Sequence, residues 1–257
     1  VGASLLGVKP VVNLITADFA FRAFDSIANT AAKLNFAQAE GELPKTIVIQ
    51  AEFLLAGPTT GQRPEMLFAR IPGLSVVVPS TPWDAYGLMR TALQAREVTL
   101  FYEDREIRDE DTLPDDQLND GEEFSVPFGS ARHRMNNTRA PRMTIVAYGL
   151  MRQVVESVLR AEAMPGVDLL DLRTLHPLDI NTILTSVRAS RKLLIIEPDV
   201  LFGGIGAEIA AQVAEALPGT LIRRLGAPRL TISARPDEHQ LYLPSRQEIL
   251  DAVLALL

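Results

Sequence analysis

The chain has 257 residues, 47% hydrophobic and 22% charged, enough apolar material for one large globular domain or two of ordinary size. No apolar run approaches the ~18 residues that a bilayer-spanning helix needs, so a membrane protein is not expected. The formal net charge of −7 argues against a nucleic-acid partner, because phosphate binding calls for a basic face. Cysteine is absent, which excludes disulfides, thiolate metal sites and a cysteine nucleophile; this suits a reducing setting, and a cytoplasmic location is expected, with an organelle matrix as the other fit.

In chain order, Val11–Ile15, Thr46–Ile49, Leu74–Pro79 and Val98–Tyr102 are short runs rich in branched residues and read as buried parallel strands. The clearest helix among them follows Thr81. Thr81 is suited to cap it, Pro82 to its first position and Asp84 to a capping box, and Ala85, Leu88, Met89, Ala92 and Leu93 share one face. From Glu103 to Glu123 there are eleven acidic and two basic residues, which leaves the rest of the chain at +2. That stretch reads as a solvated acidic connector, with docking of a basic partner as the other use.

Beyond it the plan repeats. Met143–Tyr148, Asp168–Leu172, Lys192–Ile196 and Thr220–Leu225 read as strands. Met151, Val154, Val155, Val158 and Leu159 line one helix face, and Ser245 with Glu248 opens a last helix through a capping box. Alternating strands and helices predict an α/β fold with two three-layer domains and mainly parallel sheets, over 1–104 and 142–257, joined by a connector over 105–141. His133 and His239 lie in polar segments and are expected to be solvated, and His176 reads as a turn residue; the three show no metal-ligand spacing. Gly203–Gly206 follows a strand and opens a helix, a geometry able to hold an anion on backbone N–H groups, but it lacks the third glycine of a dinucleotide fingerprint.

Five segments carry a resemblance. They are Ala17-Asp18-Phe19 with Ala23-Phe24-Asp25-Ser26-Ile27; Pro72-Gly73-Leu74 through Pro79, with Asp84-Ala85 and Gly87-Leu88; Asp171-Leu172-Arg173-Thr174-Leu175-His176-Pro177-Leu178-Asp179; Glu197 with Gly203-Gly204-Ile205-Gly206-Ala207-Glu208-Ile209; and Leu225-Gly226-Ala227-Pro228 with Tyr242-Leu243-Pro244. In this order the chain resembles the beta subunits of thiamine-diphosphate-dependent 2-oxo acid dehydrogenases of the pyruvate and branched-chain types, within the transketolase-like superfamily. The resemblance runs the length of the chain and is weaker across the acidic connector.

It implies a pyrimidine-binding domain followed by a transketolase C-terminal-like domain. It also implies an oxidoreductase in which thiamine diphosphate lies between subunits. An alpha subunit, or an alpha domain fused upstream, holds the diphosphate and its Mg2+, while the beta chain receives the aminopyrimidine. Such a heterotetramer contains a second beta chain, removes carbon dioxide from a 2-oxo acid and passes the acyl group to the lipoyl arm of an acyltransferase core. By resemblance Phe19 packs on the pyrimidine, the other reading being a core residue beside Phe21 and Phe24. A glutamate that promotes deprotonation of the cofactor is expected a short distance before Val1.

The family usually reads "GPxHSQSPE" where this chain has Gly57-Pro58-Thr59-Thr60-Gly61-Gln62-Arg63-Pro64-Glu65. Thr60 thus stands at the position of a catalytic histidine, and a threonine hydroxyl cannot exchange a proton near neutral pH as imidazole can. Three readings stay open: a branch that uses another acid, a proton relay supplied by the partner, or a non-catalytic structural paralogue. A thiamine-dependent carboligase of the transketolase type is a further alternative. The stretch Gln50–Leu55 is also shorter and less glycine-rich than the family's.

Overall fold

The computed structural model describes residues 1–37, 45–107, 124–135, 141–239 and 241–257. The chain divides into two compact units: Val1–Leu54, Thr59–Gly129 and Thr174–Pro177 form the first, and Leu55–Pro58, Ser130–Arg173 and Leu178–Leu257 form the second.

The first unit runs α1 (Gly2–Leu5), β1 (Val11–Thr16), β2 (Ile47–Phe53), α2 (Glu65–Ala69), β3 (Leu74–Val77), α3 (Pro82–Gln94) and β4 (Val98–Asp104). Its strands lie in the order β1-β2-β4-β3, all parallel, with Ile47 opposite Val98 and Phe53 opposite Asp104. Ile47, Val48, Val76, Leu100 and Phe101 are buried, as continuous apolar strands in a covered parallel sheet must be. Helix α3 is set as its sequence dictates: Thr81 Oγ1 accepts the Asp84 N–H at 2.9 Å, and Pro82 opens the first turn. Leu88 and Ala92 then pack on Val48, Val77 and Phe101. Strand β2 runs past the expected strand end at Ile49 and takes in Gln50–Phe53.

The second unit runs β5 (Arg132–Met135), β6 (Met143–Ala147), α4 (Gly149–Ala161), β7 (Val167–Asp171), then past β8 (Thr174–His176) to α5 (Ile180–Ser190), β9 (Lys192–Val200), α6 (Ile205–Ala216), β10 (Leu221–Ala227), α7 (Pro236–His239) and α8 (Arg246–Leu254). Its sheet has the order β10-β9-β6-β7-β5, parallel except for β5. Met151, Val155 and Leu159 of α4 and Ile249 and Val253 of α8 meet Ile145, Leu169, Leu194 and Ile196 in one core. Each such buried side chain contributes about 1.5–3 kcal/mol. Helix α8 begins with the anticipated capping box, both of whose hydrogen bonds are present between Ser245 and Glu248.

Several segments depart from expectation. Strand β8 joins the first unit's sheet, antiparallel to β3, with His176 opposite Val76. Arg173, just before it, takes a left-handed φ of 61° and donates to the Ser130 carbonyl. The acidic run over 108–123 and residues 136–140 lie outside the described residues, but residues 124–135 of the expected connector are built into the fold. Phe124 and Phe128 pack with Val126 on the α3 core, and Arg132–Met135 forms β5. His133 is therefore not simply solvated: its Nδ1 lies 2.9 Å from Asp168, whose other oxygen accepts from Ser186. Arg134 pairs with buried Asp171 at 3.0 Å, a second clip on the same edge strand. His239 Nε2 sits 2.9 Å from the Ser233 carbonyl. Among the described residues no helix is long and apolar enough to cross a membrane, and no group of side chains is placed to hold a metal ion.

Candidate functional site

Parallel strands bring their carboxyl ends to one edge of the sheet, the edge at which open α/β sheets bind ligands. In the first unit that edge carries Thr16 of β1, Phe53 of β2 and Asp104 of β4. Strand β1 does not end regularly. Its register breaks between Asn13 and Thr16, and Ile15 adopts φ 70° while its N–H donates to Asn13 Oδ1 at 2.6 Å. A β-branched residue at positive φ is a strained conformation that costs about 1–3 kcal/mol, and such strain gathers at functional sites. The bulge leads into a 3-10 turn over Ala17–Phe21 and then a π-helical turn over Ser26–Ala31, a rare form also frequent at such sites.

Phe19 sits on the 3-10 turn with 39% of its surface exposed, and the Arg22 guanidinium lies 5.7 Å from its ring centre. It is not a core residue. Phe24 packs its ring against buried Phe68 at 5.2 Å. Asp18, one residue before Phe19, is buried, and its carboxylate reaches across to a loop 43 residues further on. Oδ2 accepts the Gly61 N–H at 2.9 Å and Oδ1 the Gln62 N–H at 3.1 Å. Thr60 is half-buried on that loop, directly before Gly61. The structure thus joins the segments carrying the two residues that sequence singled out, through Asp18, to which the sequence assigned no role.

The loop's far end is anchored as well. The Arg63 guanidinium lies 3.9 Å from the Phe53 ring centre, bonds Asp104, and stands 3.6 Å from Glu65, with all three charged side chains buried. The family pattern has serine at this position, so the arginine could have been noticed in the sequence; its buried partners could not. Nearby on β4, burial foremost and then the charge of Glu52 raise the Glu103 carboxyl above its ordinary range, against an opposing hydrogen bond from Gln50. Chemically the assembly offers an open aromatic face, a hydroxyl able to donate and accept a hydrogen bond, and a rigidly tied loop.

The second unit contains another polar centre. Glu197 of β9 is fully buried, and its Oε2 accepts the Gly206 N–H at 3.2 Å, at the N-terminus of α6. The glycine run, whose backbone geometry is able to hold an anion, here donates the Gly206 N–H to the chain's own carboxyl group. A Cβ at Gly204 would overlap Glu197 Oε2, and one at Gly206 would come within 2.6 Å of Oε1, which is why glycine stands at both positions. Burial chiefly, and the Asp199 charge next, raise this carboxyl to about 7, while the Gly206 N–H and Arg224 oppose the shift.

Comparison with known proteins agrees with this layout. Residues 1–108 match the family described as transketolase, pyrimidine binding domain, and residues 134–249 match transketolase, C-terminal domain. The chain is 32% identical over 259 residues to the beta subunit of acetoin:2,6-dichlorophenolindophenol oxidoreductase from Cupriavidus necator, a match covering 97% of this chain and 73% of that one. It is 31% identical over 268 residues to the pyruvate dehydrogenase E1 component subunit beta of Rhizobium meliloti; the match takes in 100% of this chain but spans only 56% of that relative's length. A 2-oxoisovalerate dehydrogenase subunit beta 2 of Arabidopsis thaliana is 28% identical, with 98% of this chain and 77% of that one covered. Among solved structures, a split-gene transketolase in an inactive beta4 tetramer shares the fold, with a TM-score of 0.79 at 20% identity over 99% of this chain and 78% of that one.

Proposed function

The chain belongs to the beta-subunit family of the 2-oxo acid dehydrogenases, of transketolase-like fold, and from that premise we propose that it forms the beta half of a thiamine-diphosphate-dependent decarboxylating component. One observation carries the reading. A half-exposed aromatic ring, Phe19, stands at the carboxyl edge of a parallel sheet, and Asp18 ties its segment to the loop bearing Thr60.

An aminopyrimidine is a flat polar heterocycle, and an open phenyl face beside a loop rich in backbone polar groups suits it. Phe19 is the residue that would hold the ring. Thr60 contributes shape and a hydrogen bond, so the site's proton exchange falls to another acid or to a residue of the partner. When bound, thiamine diphosphate supplies the electron sink for breaking the bond beside the substrate carbonyl. In this reading the diphosphate and its Mg2+ belong to an alpha subunit or fused alpha domain, a second beta chain completes the assembly, and a lipoyl acyltransferase receives the acyl group. The acetoin oxidoreductase among the relatives adds a hydroxy ketone to the substrate classes to be tried.

Calorimetric titration with thiamine diphosphate and magnesium tests the reading. Saturable, stoichiometric binding is expected in the complex with the alpha partner and not in the isolated chain. A fully assembled complex that binds none would contradict it.

A further inference from the structure

Asp18 is a buried carboxylate whose hydrogen bonds go to loop backbone. Its two oxygens accept from two consecutive amides, Gly61 at 2.9 Å and Gln62 at 3.1 Å. No lysine or arginine pairs with it among the described residues. A buried charge held by backbone N–H groups is costly unless both bonds are kept, so it fixes loop geometry rather than adding a tolerant packing contact. The neighbouring features have the same effect. The bulge and positive φ at Ile15 set the direction in which the chain leaves β1 toward Asp18, and the Arg63 cluster pins the residue that follows Gln62.

We propose that Asp18 is the positioning residue of this site: it couples an aromatic heterocycle bound at Phe19 to the placement of the Thr60 hydroxyl, by holding the Gly61 and Gln62 amides on a carboxylate adjacent to Phe19. The proposal rests on the reading above for the identity of the heterocycle, but the tie itself belongs to the apo-protein. The substitution D18N retains size yet leaves only one acceptor oxygen, turning an amide donor toward the other N–H. D18E keeps both acceptors and the charge, displaced by one methylene.

The test is amide hydrogen exchange over residues 59–63, followed by mass spectrometry, in the complex of this chain with its alpha partner. In the unsubstituted complex, thiamine diphosphate with magnesium is expected to slow exchange at Gly61 and Gln62; no slowing overturns the coupling, whatever any variant does. D18N is expected to speed exchange there about tenfold, the scale of one lost hydrogen bond. It should also weaken cofactor binding and lower kcat, with KM for the acyl donor unchanged and D18E restoring part of the loss. Faster exchange with unchanged cofactor affinity and kcat would reduce Asp18 to a structural tie and overturn the proposal. An unsubstituted complex that binds no thiamine diphosphate would overturn the functional reading and the coupling together, and is recognised because it needs no substitution.

Discussion

At the scale of single residues, Phe19 separates binding from packing because so much of its ring is open. A buried phenylalanine truncated to alanine costs about 3–5 kcal/mol of stability, and Phe19, with 39% of its surface exposed, has less than that to lose. F19A is expected to weaken thiamine diphosphate binding by about 1–3 kcal/mol, the scale of stacking between an aromatic side chain and a base. Paired titration and melting curves check this: the apo-protein should lose less stability than a buried phenylalanine's truncation costs, and a full-sized apo destabilisation with unchanged affinity would assign Phe19 a packing role instead. Phe19 and Thr60 were legible because each sits within a motif of recognisable order. Asp18 lies in the same motif, but its role depends on amides 43 and 44 residues away, a distance that no local pattern encodes. Likewise the sequence shows that Arg63 is unusual but not that Phe53, Asp104 and Glu65 surround it.

At the scale of elements, eight strands were readable from runs of branched residues, and the helices of α3 and α8 from their caps, because both signals are local. Strands β5 and β8 were not. Arg132–Met135 is polar, Thr174–His176 is three residues long, and both add antiparallel at a sheet edge, where long-range pairing decides. The bulge at Ile15 was equally hidden, since local propensity argues against isoleucine at positive φ. Helix α6 could be placed from its glycines, whereas the group its N-terminus receives could not.

That group gives the elements a pH dependence. A carboxyl whose pKa is raised by folding, from 4.5 to about 7 in Glu197, binds its proton more tightly in the native state. Its contribution to stability is therefore fully present below about pH 4.5 and is lost as pH rises through about 7. Glutamine has no such proton to lose and can still accept from the Gly206 N–H. E197Q should match the parent near pH 4.5 and exceed it by up to about 3 kcal/mol above pH 8, as measured by denaturant unfolding across pH. A constant difference at all pH values would mean that the carboxyl is not shifted.

At the scale of the whole molecule, each unit exposes apolar surface. Leu5, Leu6, Val8 and Val11 do so in the first, and Phe202, Leu230 and Leu241 in the second. The C. necator, R. meliloti and A. thaliana relatives are each named as beta subunits, and surface of this kind is what a chain that works inside an assembly presents. The double α/β plan was visible from the alternation of strands and helices, since that periodicity repeats on both sides of the acidic run. Which surfaces meet a partner was not, because the exposure of a leucine or phenylalanine is set by the fold and by no local pattern.

Thiamine-dependent oxidation beside a carbonyl group, the activity proposed for this chain, is tested most directly by dye reduction. The complete chain, purified with its alpha partner, would be supplied with thiamine diphosphate, magnesium and an artificial electron acceptor. It would be offered pyruvate, the branched-chain 2-oxo acids and acetoin in turn. Reduction of the dye by at least one of these substrates is expected, strictly dependent on thiamine diphosphate. A complex that binds the cofactor yet reduces no dye with any of them, or that only joins two carbonyl compounds, would contradict it and leave Thr60 as the mark of a paralogue without this chemistry.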